Sequence, residues 1–595
     1  MLTLQLLKIS GTSNKEEKEA NMNHLRSQEI RRVGPEVDPI LLGTGWSRKL
    51  LERPQILLES TFGDAHPGSR HLLEVVEACK DALLAEGMMG ARYFVSDICD
   101  GVATGHDGMN YSLPSRDIIS SMTEIHAMSG PFDGMITFSS CDKSTPAMLM
   151  SLLRINMPGI HVCGGSMEPG PGIQNSAEVC YGTNDLVRTG QMTADEEFVY
   201  KYGACPSCGA CQYLGTASTM QSMSEALGMS LPGNAVAPSS GEVLHYAQDA
   251  GTAMKQLLEK NIRPKDIMTK AAFENAMHIH AAIAGSTNIL LHLPAIAAQN
   301  GIRITLKDFD LINRETPVVC SVMPSGKWPT RIFWAAGGIP AVMRLLKNDL
   351  DLNVMTVTGK TLGENLYELE QNGFFASRER WLSVYGLKTE DVIRTKEEPF
   401  RSHGGISVLY GNIAPEGSVI KSAAVPEDMM KTVGRAKPFN SEEDAIDAID
   451  RGEISGNDIV IIRYEGAQGA GMPEMLKTSE KLCNIPGLEH CALITDGRFS
   501  GATKGPCVGH VSPEALDEGP IALIEEGDLI EINIPDGSMN IVGVQGERRT
   551  EEEIRSILEA RKSKYVRPML PEKHGILRLF TDNAGNVGNG ASLFK

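Results

Sequence analysis

Gly134-Met-Ile-Thr-Phe138, followed at once by Ser139-Ser-Cys-Asp-Lys143, decides how this chain folds. A short apolar run of this kind is a buried strand, and the small polar residues after it are a loop carrying a thiol, a carboxylate and an amine. The order recurs on either side: 91–96 leads into Asp97-Ile-Cys-Asp-Gly101, and Gly159-Ile-His-Val-Cys163 leads into Gly164-Gly165. Helical patterns fall between these runs, over 71–86 and 115–128. Strand, loop, helix, strand is α/β order, with parallel sheets flanked by helices. Ligands of such sheets collect at the carboxyl ends of the strands, where both Cys-Asp pairs fall.

Working outward, the middle of the chain, 215–300, is rich in Ala and Met and reads as helical, most clearly over 216–227 and 267–283. A second α/β pattern runs to about 375, and the charged stretch from Arg378 to Arg401 reads as a linker. Beyond it, short β-rich segments over 459–463, 491–495 and 529–534 are divided by Gly, Pro and Asp, the pattern of a barrel or sandwich with a few helices. The expected organisation is a loose polar extension over 1–35, an α/β part over 36–380 with room for two subdomains, and a β-rich part over 400–595. Residues 2–9 are too short and too poorly flanked for a signal peptide, and Met22 is an alternative start.

With 595 residues the chain is long enough for two to four domains, and 42% hydrophobic with 22% charged residues is the balance of a soluble globular protein. A formal net charge of −19 argues against nucleic acid or an anionic membrane as partner, so an anionic substrate has to be attracted locally. No apolar run reaches the ~18–20 residues of a membrane-spanning helix. Twelve cysteines without a secretory signal read as reduced thiols in a cytoplasm. Cys79, Cys163, Cys180, Cys320, Cys483, Cys491 and Cys507 are expected to be buried as small hydrophobes.

The remaining cysteines carry the chemistry. Cys99-Asp100 and Cys141-Asp142 each set a soft thiolate beside a hard carboxylate, which suggests a soft-metal and a hard-metal site sharing one pocket. Cys205, Cys208 and Cys211 have the spacing of a ferredoxin run, but Gly215 stands where its fourth cysteine would be. Two readings stay open: a structural zinc completed by a distant cysteine, or an iron–sulfur cluster on three dispersed cysteines with one iron open. The second suits hydration chemistry better. Gly164-Gly165-Ser166 and Gly337-Gly338 lack the pattern of a nucleotide-phosphate loop.

Several long motifs, in order, resemble the dihydroxy-acid and phosphogluconate dehydratase family over about 40–580. They are Cys99-Asp-Gly-Val-Ala-Thr-Gly105, Gly108-Met109, Ser112-Leu-Pro-Ser-Arg116, Cys141-Asp-Lys-Ser-Thr-Pro146 and Cys211-Gln-Tyr-Leu-Gly-Thr-Ala-Ser-Thr219. Gly285-Ser-Thr-Asn288, Gly411-Asn-Ile-Ala-Pro-Glu-Gly417, Gly471-Met-Pro-Glu474 and Thr495-Asp-Gly-Arg-Phe-Ser-Gly-Ala-Thr503 follow. The resemblance implies an iron–sulfur cluster on three cysteines beside Mg2+. Cys141 and Cys211 match two cluster ligands. The third cysteine of the 2Fe–2S members is replaced here by Gly68, in Ala65-His-Pro-Gly-Ser-Arg-His71. The phosphogluconate-dehydratase branch also lacks that cysteine and has one before Asp-Gly, where Cys99 stands, so the resemblance implies Cys99 as the third ligand and a 4Fe–4S cluster rather than 2Fe–2S. Cys205 and Cys208 are left as bystanders or an alternate ligand pair.

By the same resemblance Asp100, Asp142 and Glu474 are magnesium ligands, with Glu465 the weaker candidate, and Lys143 matches a lysine that members of the family carbamylate. Ser500 matches the base that removes the proton α to the carboxylate, with Thr503 assisting or capping. Ser286, Thr287 and Asn288, with His292, line the substrate pocket or cap the next helix; His278 and His280 read as packing residues. The expected reaction is dehydration of a 2,3-dihydroxy carboxylate to a 2-keto-3-deoxy acid. An aldonate of the D-xylonate kind is the first choice of substrate, from the cysteine pattern and Val354-Met-Thr-Val-Thr-Gly359. The alternative is 2,3-dihydroxyisovalerate, because 148–158 and Ser166-Met-Glu-Pro-Gly170 resemble branched-chain dihydroxy-acid dehydratases. Phosphogluconate comes third, and a non-enzymatic iron–sulfur or zinc sensor is the reading from another class. The resemblance also implies an N-terminal α/β part holding the cluster, a C-terminal β-barrel-like part bringing Glu474 and Ser500, and a homodimer or homotetramer.

Overall fold

The strands of the first sheet are β1 (Gln55–Ser60), β2 (Met89–Phe94), β3 (Gly134–Ser139) and β4 (Gly159–Cys163), all parallel and ordered β2-β1-β3-β4. This is a computed structural model, and it describes residues 25–594 except 174–175, 177–182, 184–185, 188 and 502. Cys180, the start at Met22 and the segment 2–9 lie outside the described residues.

Strands β1, β3 and β4 are buried along their whole length, as continuous apolar runs in a covered parallel sheet require. The helices Leu72–Ala85 and Glu242–Lys260 pack so closely that a Cβ on Gly251 would lie 2.8 Å from Ala82 Cβ and 2.9 Å from the Cys79 carbonyl oxygen. At the carboxyl end of β3 the chain turns through Cys141–Lys143 into the helix Ser144–Ile155; beyond β2, Asp100 opens the short helix Asp100–Ala103.

Strand β1 is the centre of the sheet but is not picked out by the sequence, because Glu59 interrupts its apolar run. That carboxyl is fully buried, with Oε2 3.0 Å from His126 Nδ1. Burial pushes the Glu59 pKa up to about 8 and pushes His126 down, so the pair is neutral at pH 7. A carboxyl whose folded pKa exceeds its ordinary value of 4.5 withdraws stability as the pH rises from there to about 8, at about 1.4 kcal/mol per pH unit. Glu59→Gln is therefore expected to flatten the fall in urea midpoint over that range and to exceed the wild type at pH 8. An unaltered pH profile would mean that Glu59 titrates normally.

From residue 164 to 406 no strand occurs among the described residues. The expected second α/β pattern up to 375 is thus wrong. Its β-branched stretch Val318–Val322 makes only isolated bridges, Val318 to Arg401, Cys320 to Ile393 and Val322 to Trp328, among the helices Leu306–Glu315, Thr330–Ala335 and Gly338–Leu345. The same bridges correct the expected linker. Residues 378–401 pack back on the helical region: Val392 is fully buried, and the Arg378 guanidinium stacks 3.5 Å from the centroid of the Trp334 ring. Within the extension expected to be loose, Arg26–Val33 is a helix, tied down where Ser27 N donates to Asp133 Oδ1 at 2.8 Å.

The C-terminal part is one mixed sheet of nine strands: β5 (Ser407–Leu409), β6 (Gly417–Ile420), β7 (Lys431–Phe439), β8 (Asp458–Ile462), β9 (Ala492–Thr495), β10 (Cys507–Ser512), β11 (Leu529–Asn533), β12 (Ser538–Val544) and β13 (Glu547–Arg548). Their order is β13-β12-β11-β7-β8-β9-β10-β6-β5. The sheet curls until the chain just past β5 meets β12: Tyr410 N donates to the Gly537 carbonyl oxygen at 2.9 Å, and Met539 N donates to that of Tyr410 at 2.8 Å. The expected α/β part followed by a barrel-like β part with helices is the architecture observed. Of the cysteines expected to be core, Cys79, Cys163, Cys320, Cys491 and Cys507 are buried; Cys483 is half-buried, because it ends the helix Leu476–Asn484 and its thiol reaches the Lys504 carbonyl oxygen at the surface.

Candidate active site

Four loops from distant parts of the chain meet. The β3 loop brings Cys141, Asp142 and Lys143, and the segment after β2 brings Cys99 and Asp100. The chain after β8 brings Glu474 and the chain after β9 brings Arg498, side by side through a parallel bridge between these two residues. Asp100, Lys143, Glu474 and Arg498 are all buried.

Their hydrogen bonds form one continuous network. Lys143 Nζ donates to Asp100 Oδ2 at 2.7 Å, and Ser112 Oγ donates to Asp100 Oδ1 at 2.7 Å. Arg498 donates from Nη1 to Glu474 Oε1, from Nη2 to Ser112 Oγ at 2.8 Å and Asp100 Oδ2 at 3.3 Å, and from Nε to the Met472 carbonyl oxygen at 2.7 Å. Burial opposes ionisation of Asp100, but Lys143 and Arg498 outweigh it and hold the carboxyl down at about 2. Asp142 has the opposite fate: burial, then the charge of Asp100, push it up to about 7, and Glu474 adds to the push. Three carboxylates crowded into a closed space against two cations are a donor set for a hard divalent cation.

Asn288, at the start of the helix Ile289–Ala298, makes no capping bond with its side chain. Its Nδ2 donates instead to Glu474 Oε1 at 3.1 Å and to Thr216 Oγ1 at 2.7 Å. The Ser286 hydroxyl lies 3.0 Å from Thr216 Oγ1, and Thr287 is buried beside it. His280 Nε2 is spent on the Ser286 carbonyl oxygen and His278 Nδ1 on Thr316, while His292 is buried with Nδ1 3.4 Å from Arg116 Nη1. The loop of Ser500 lies against the N-terminus of the helix Thr216–Ala226, so closely that a Cβ on Gly501 would meet Gly215 Cα at 2.5 Å. Lys421, buried from the neighbouring strand end, donates to the Gly501 carbonyl oxygen at 3.3 Å, and burial pushes its pKa down to about 7. Thr503 is buried and its hydroxyl has no partner among the described residues.

The thiols lie on the other side of Asp142. Cys141 donates a hydrogen bond to Cys99, which, against burial, holds the Cys99 pKa down at about 6 and raises that of Cys141. This is the environment of a ready thiolate. Burial raises the Cys211 thiol, and the charges of Cys99 and Asp142 raise it further. Cys205 is exposed and Cys208 half-buried, and the charge of Cys205 adds to the push on Cys211. Glu465 faces Asp496 rather than Asp100: its backbone N–H donates to Asp496 Oδ1, and burial and that carboxylate raise its own pKa. A cleft of about 280 Å3, with His106, Lys573 and His574 on its walls, reaches Glu474 from outside. Arg498, Ser112 and Lys421 are functional neighbours the sequence reading misses. Arg498 and Ser112 stand inside quoted motifs, but their partners are far away in the chain.

Comparison with known proteins now decides the family. The model described as the dihydroxy-acid/6-phosphogluconate dehydratase N-terminal region matches residues 53–365, and that of the C-terminal region matches 391–591. The chain belongs to the dihydroxy-acid/6-phosphogluconate dehydratase family. Among its relatives is a dihydroxy-acid dehydratase of Moorella thermoacetica, 43% identical over 84% of this chain and 89% of that protein. Those of Oleidesulfovibrio alaskensis (39% identical, 93% of this chain and 96% of that protein) and Methanothermobacter thermautotrophicus (40% identical, 91% and 94%) bear the same name. As a member of this dehydratase family the chain is a hydro-lyase, and the reading as a non-catalytic sensor falls. None of the described helices is long and apolar enough to cross a membrane.

Proposed function

We propose that this dehydratase converts a 2,3-dihydroxy carboxylate to a 2-keto acid, and that its substrate is an alkyl dihydroxy acid such as 2,3-dihydroxyisovalerate. The observation that carries the reaction is the meeting of Asp100, Asp142, Lys143 and Glu474 with the Cys99–Cys141 pair at one site. The substrate follows the relatives, which are named dihydroxy-acid dehydratases at about 40% identity over nearly the whole chain. The aldonate preference rests on the cysteine pattern and Val354-Met-Thr-Val-Thr-Gly359, and the relatives' names favour the other substrate.

The donor sets fit the two inorganic groups of the family. Asp100, Asp142 and Glu474 would hold Mg2+, and Cys99, Cys141 and Cys211 an iron–sulfur cluster, read here as 4Fe–4S. When bound, these groups supply Lewis acidity toward the substrate's carboxylate and hydroxyls. Carbamylation of Lys143 would turn the cation opposite Asp100 into a further oxygen donor and raise the demand for a divalent ion. Ser500 takes the C2 proton, beside the N-terminus of the helix Thr216–Ala226 and the buried amine of Lys421. The C3 hydroxyl departs as water, and the enol left behind tautomerises to the ketone. Asn288 and Arg498 keep Glu474 turned toward the site throughout.

Anaerobically purified protein supplied with Mg2+ is expected to form 2-keto acid fastest from 2,3-dihydroxyisovalerate, compared with D-xylonate, L-arabinonate and D-gluconate. Preference for an aldonate would overturn the substrate. No keto acid from any of them, with iron and sulfide present, would overturn the reaction.

A further inference from the structure

The soft-metal corner contains a histidine to which none of the roles above is assigned. His66 stands just before the short helix Pro67–Arg70, and its side chain is only 2% exposed. One of its ring nitrogens and the sulfurs of Cys99 and Cys141 all lie within 4.8 Å of one another. Nε2 is 2.9 Å from Asp97 Oδ1 and 3.1 Å from Ser69 Oγ, while the Ser69 hydroxyl gives its own proton to the Gly63 carbonyl oxygen at 3.0 Å. Both neighbours of Nε2 therefore accept, which in the neutral ring fixes the proton on Nε2 and the lone pair on Nδ1.

That Nδ1 is buried and has no hydrogen-bond partner among the described residues. An orphaned buried acceptor is costly, a cost that a metal would remove. A Cβ built on Gly68 would lie 3.1 Å from His66 Nδ1 and 3.3 Å from Cys141 Sγ, so nitrogen and sulfur face the same small space, kept open by the glycine. A carboxylate holding one ring nitrogen while the other faces thiols is the arrangement that orients histidine ligands of metals.

We propose that His66 Nδ1 is a ligand of the metal centre held by Cys99, Cys141 and Cys211, with Asp97 orienting the ring. The inference rests on the iron–sulfur reading given above. It makes the resting centre a three-thiolate, one-imidazole site, in which the substrate's hydroxyl reaches the open iron of that reading only by displacing the ring. A neutral imidazole in place of a fourth thiolate raises the reduction potential of such a centre.

The test is pulsed electron paramagnetic resonance on whole, anaerobically purified protein labelled with 15N-histidine and reduced by one electron. A hyperfine coupling of the strength of a directly bound imidazole nitrogen is expected, lost in His66→Cys and kept in His71→Gln. His66→Cys is expected to retain iron and sulfide and to show a more negative reduction potential, since a thiolate replaces the ring. A cluster signal with no directly bound 15N in the wild type overturns the proposal and leaves the iron–sulfur reading standing. Protein that binds no iron or sulfide overturns both. The wild-type spectrum decides even if the substituted chains fail to load.

Discussion

Ser500→Ala is expected to lower kcat by roughly 10²–10⁴-fold while iron, sulfide and magnesium contents stay at wild-type levels. A serine hydroxyl is by itself a poor base, so its environment has to favour the alkoxide. Two features do so here. The Ser500–Gly501 backbone presses on Gly215 and Thr216, the first residues of an eleven-residue helix whose N-cap, Gly215, supplies no side-chain acceptor. The free N–H groups and the dipole of that end favour negative charge. The second feature is Lys421, a buried amine hydrogen-bonded to the same loop, whose pKa of about 7 leaves it charged on the acid side of neutrality. Lys421→Met should therefore also reduce kcat, by less than Ser500→Ala, and shift the alkaline side of the pH–rate profile. The decisive measurement is single-turnover keto-acid formation by Ser500→Ala with its visible absorption intact. Wild-type turnover would remove Ser500 from the chemistry and direct attention to Lys421 or Thr503 as the base.

The parts legible in the sequence are those fixed by local pattern. The runs 134–138 and 159–163 end within a residue of β3 and β4, because a strand buried on both faces is continuously apolar and bounded by small residues. The thiols and carboxylates were legible because soft and hard donors side by side have few other uses. What escaped depends on partners distant in sequence. Arg498 reads as a solvated cation until the fold brings it to Asp100, 398 residues away. Glu59 hides the strand it stands on, and only its fit against His126 makes a buried carboxyl tolerable. Residues 378–401 read as a linker by their charge, yet the arginines spend that charge on aromatic faces: Arg378 on Trp334 and Arg394 on Phe400. His66 carries no local signal, since nothing near it in the sequence indicates that Asp97 takes one ring nitrogen and leaves the other facing two thiols.

Arg498→Met should be the most destabilising of these substitutions. The guanidinium is fully buried and joins the two halves of the site: Asp100 and Ser112 from the N-terminal part, Met472 and Glu474 from the C-terminal part. Burial works against its charge, but Glu474 and Asp100, followed by Asp142, more than restore it. Methionine fills a similar volume and removes the cation, leaving two buried carboxylates facing each other and Asp142. Breaking one partner out of a buried ion network costs about 3–5 kcal/mol. The expected result is a marked drop in the urea midpoint of the magnesium-free protein. Because the uncovered carboxylates are also the proposed ligands of the hard cation, added Mg2+ should recover more of the midpoint in Arg498→Met than it adds to the wild type. Arg498→Lys separates charge from geometry. It keeps the cation but cannot reach Glu474, Asp100 and the Met472 carbonyl oxygen at once, so it should fall between the two. Equal midpoints for wild type and Arg498→Met, with equal gains from Mg2+, would mean that the three carboxylates are neutralised by protons and that Arg498 does not hold the site together.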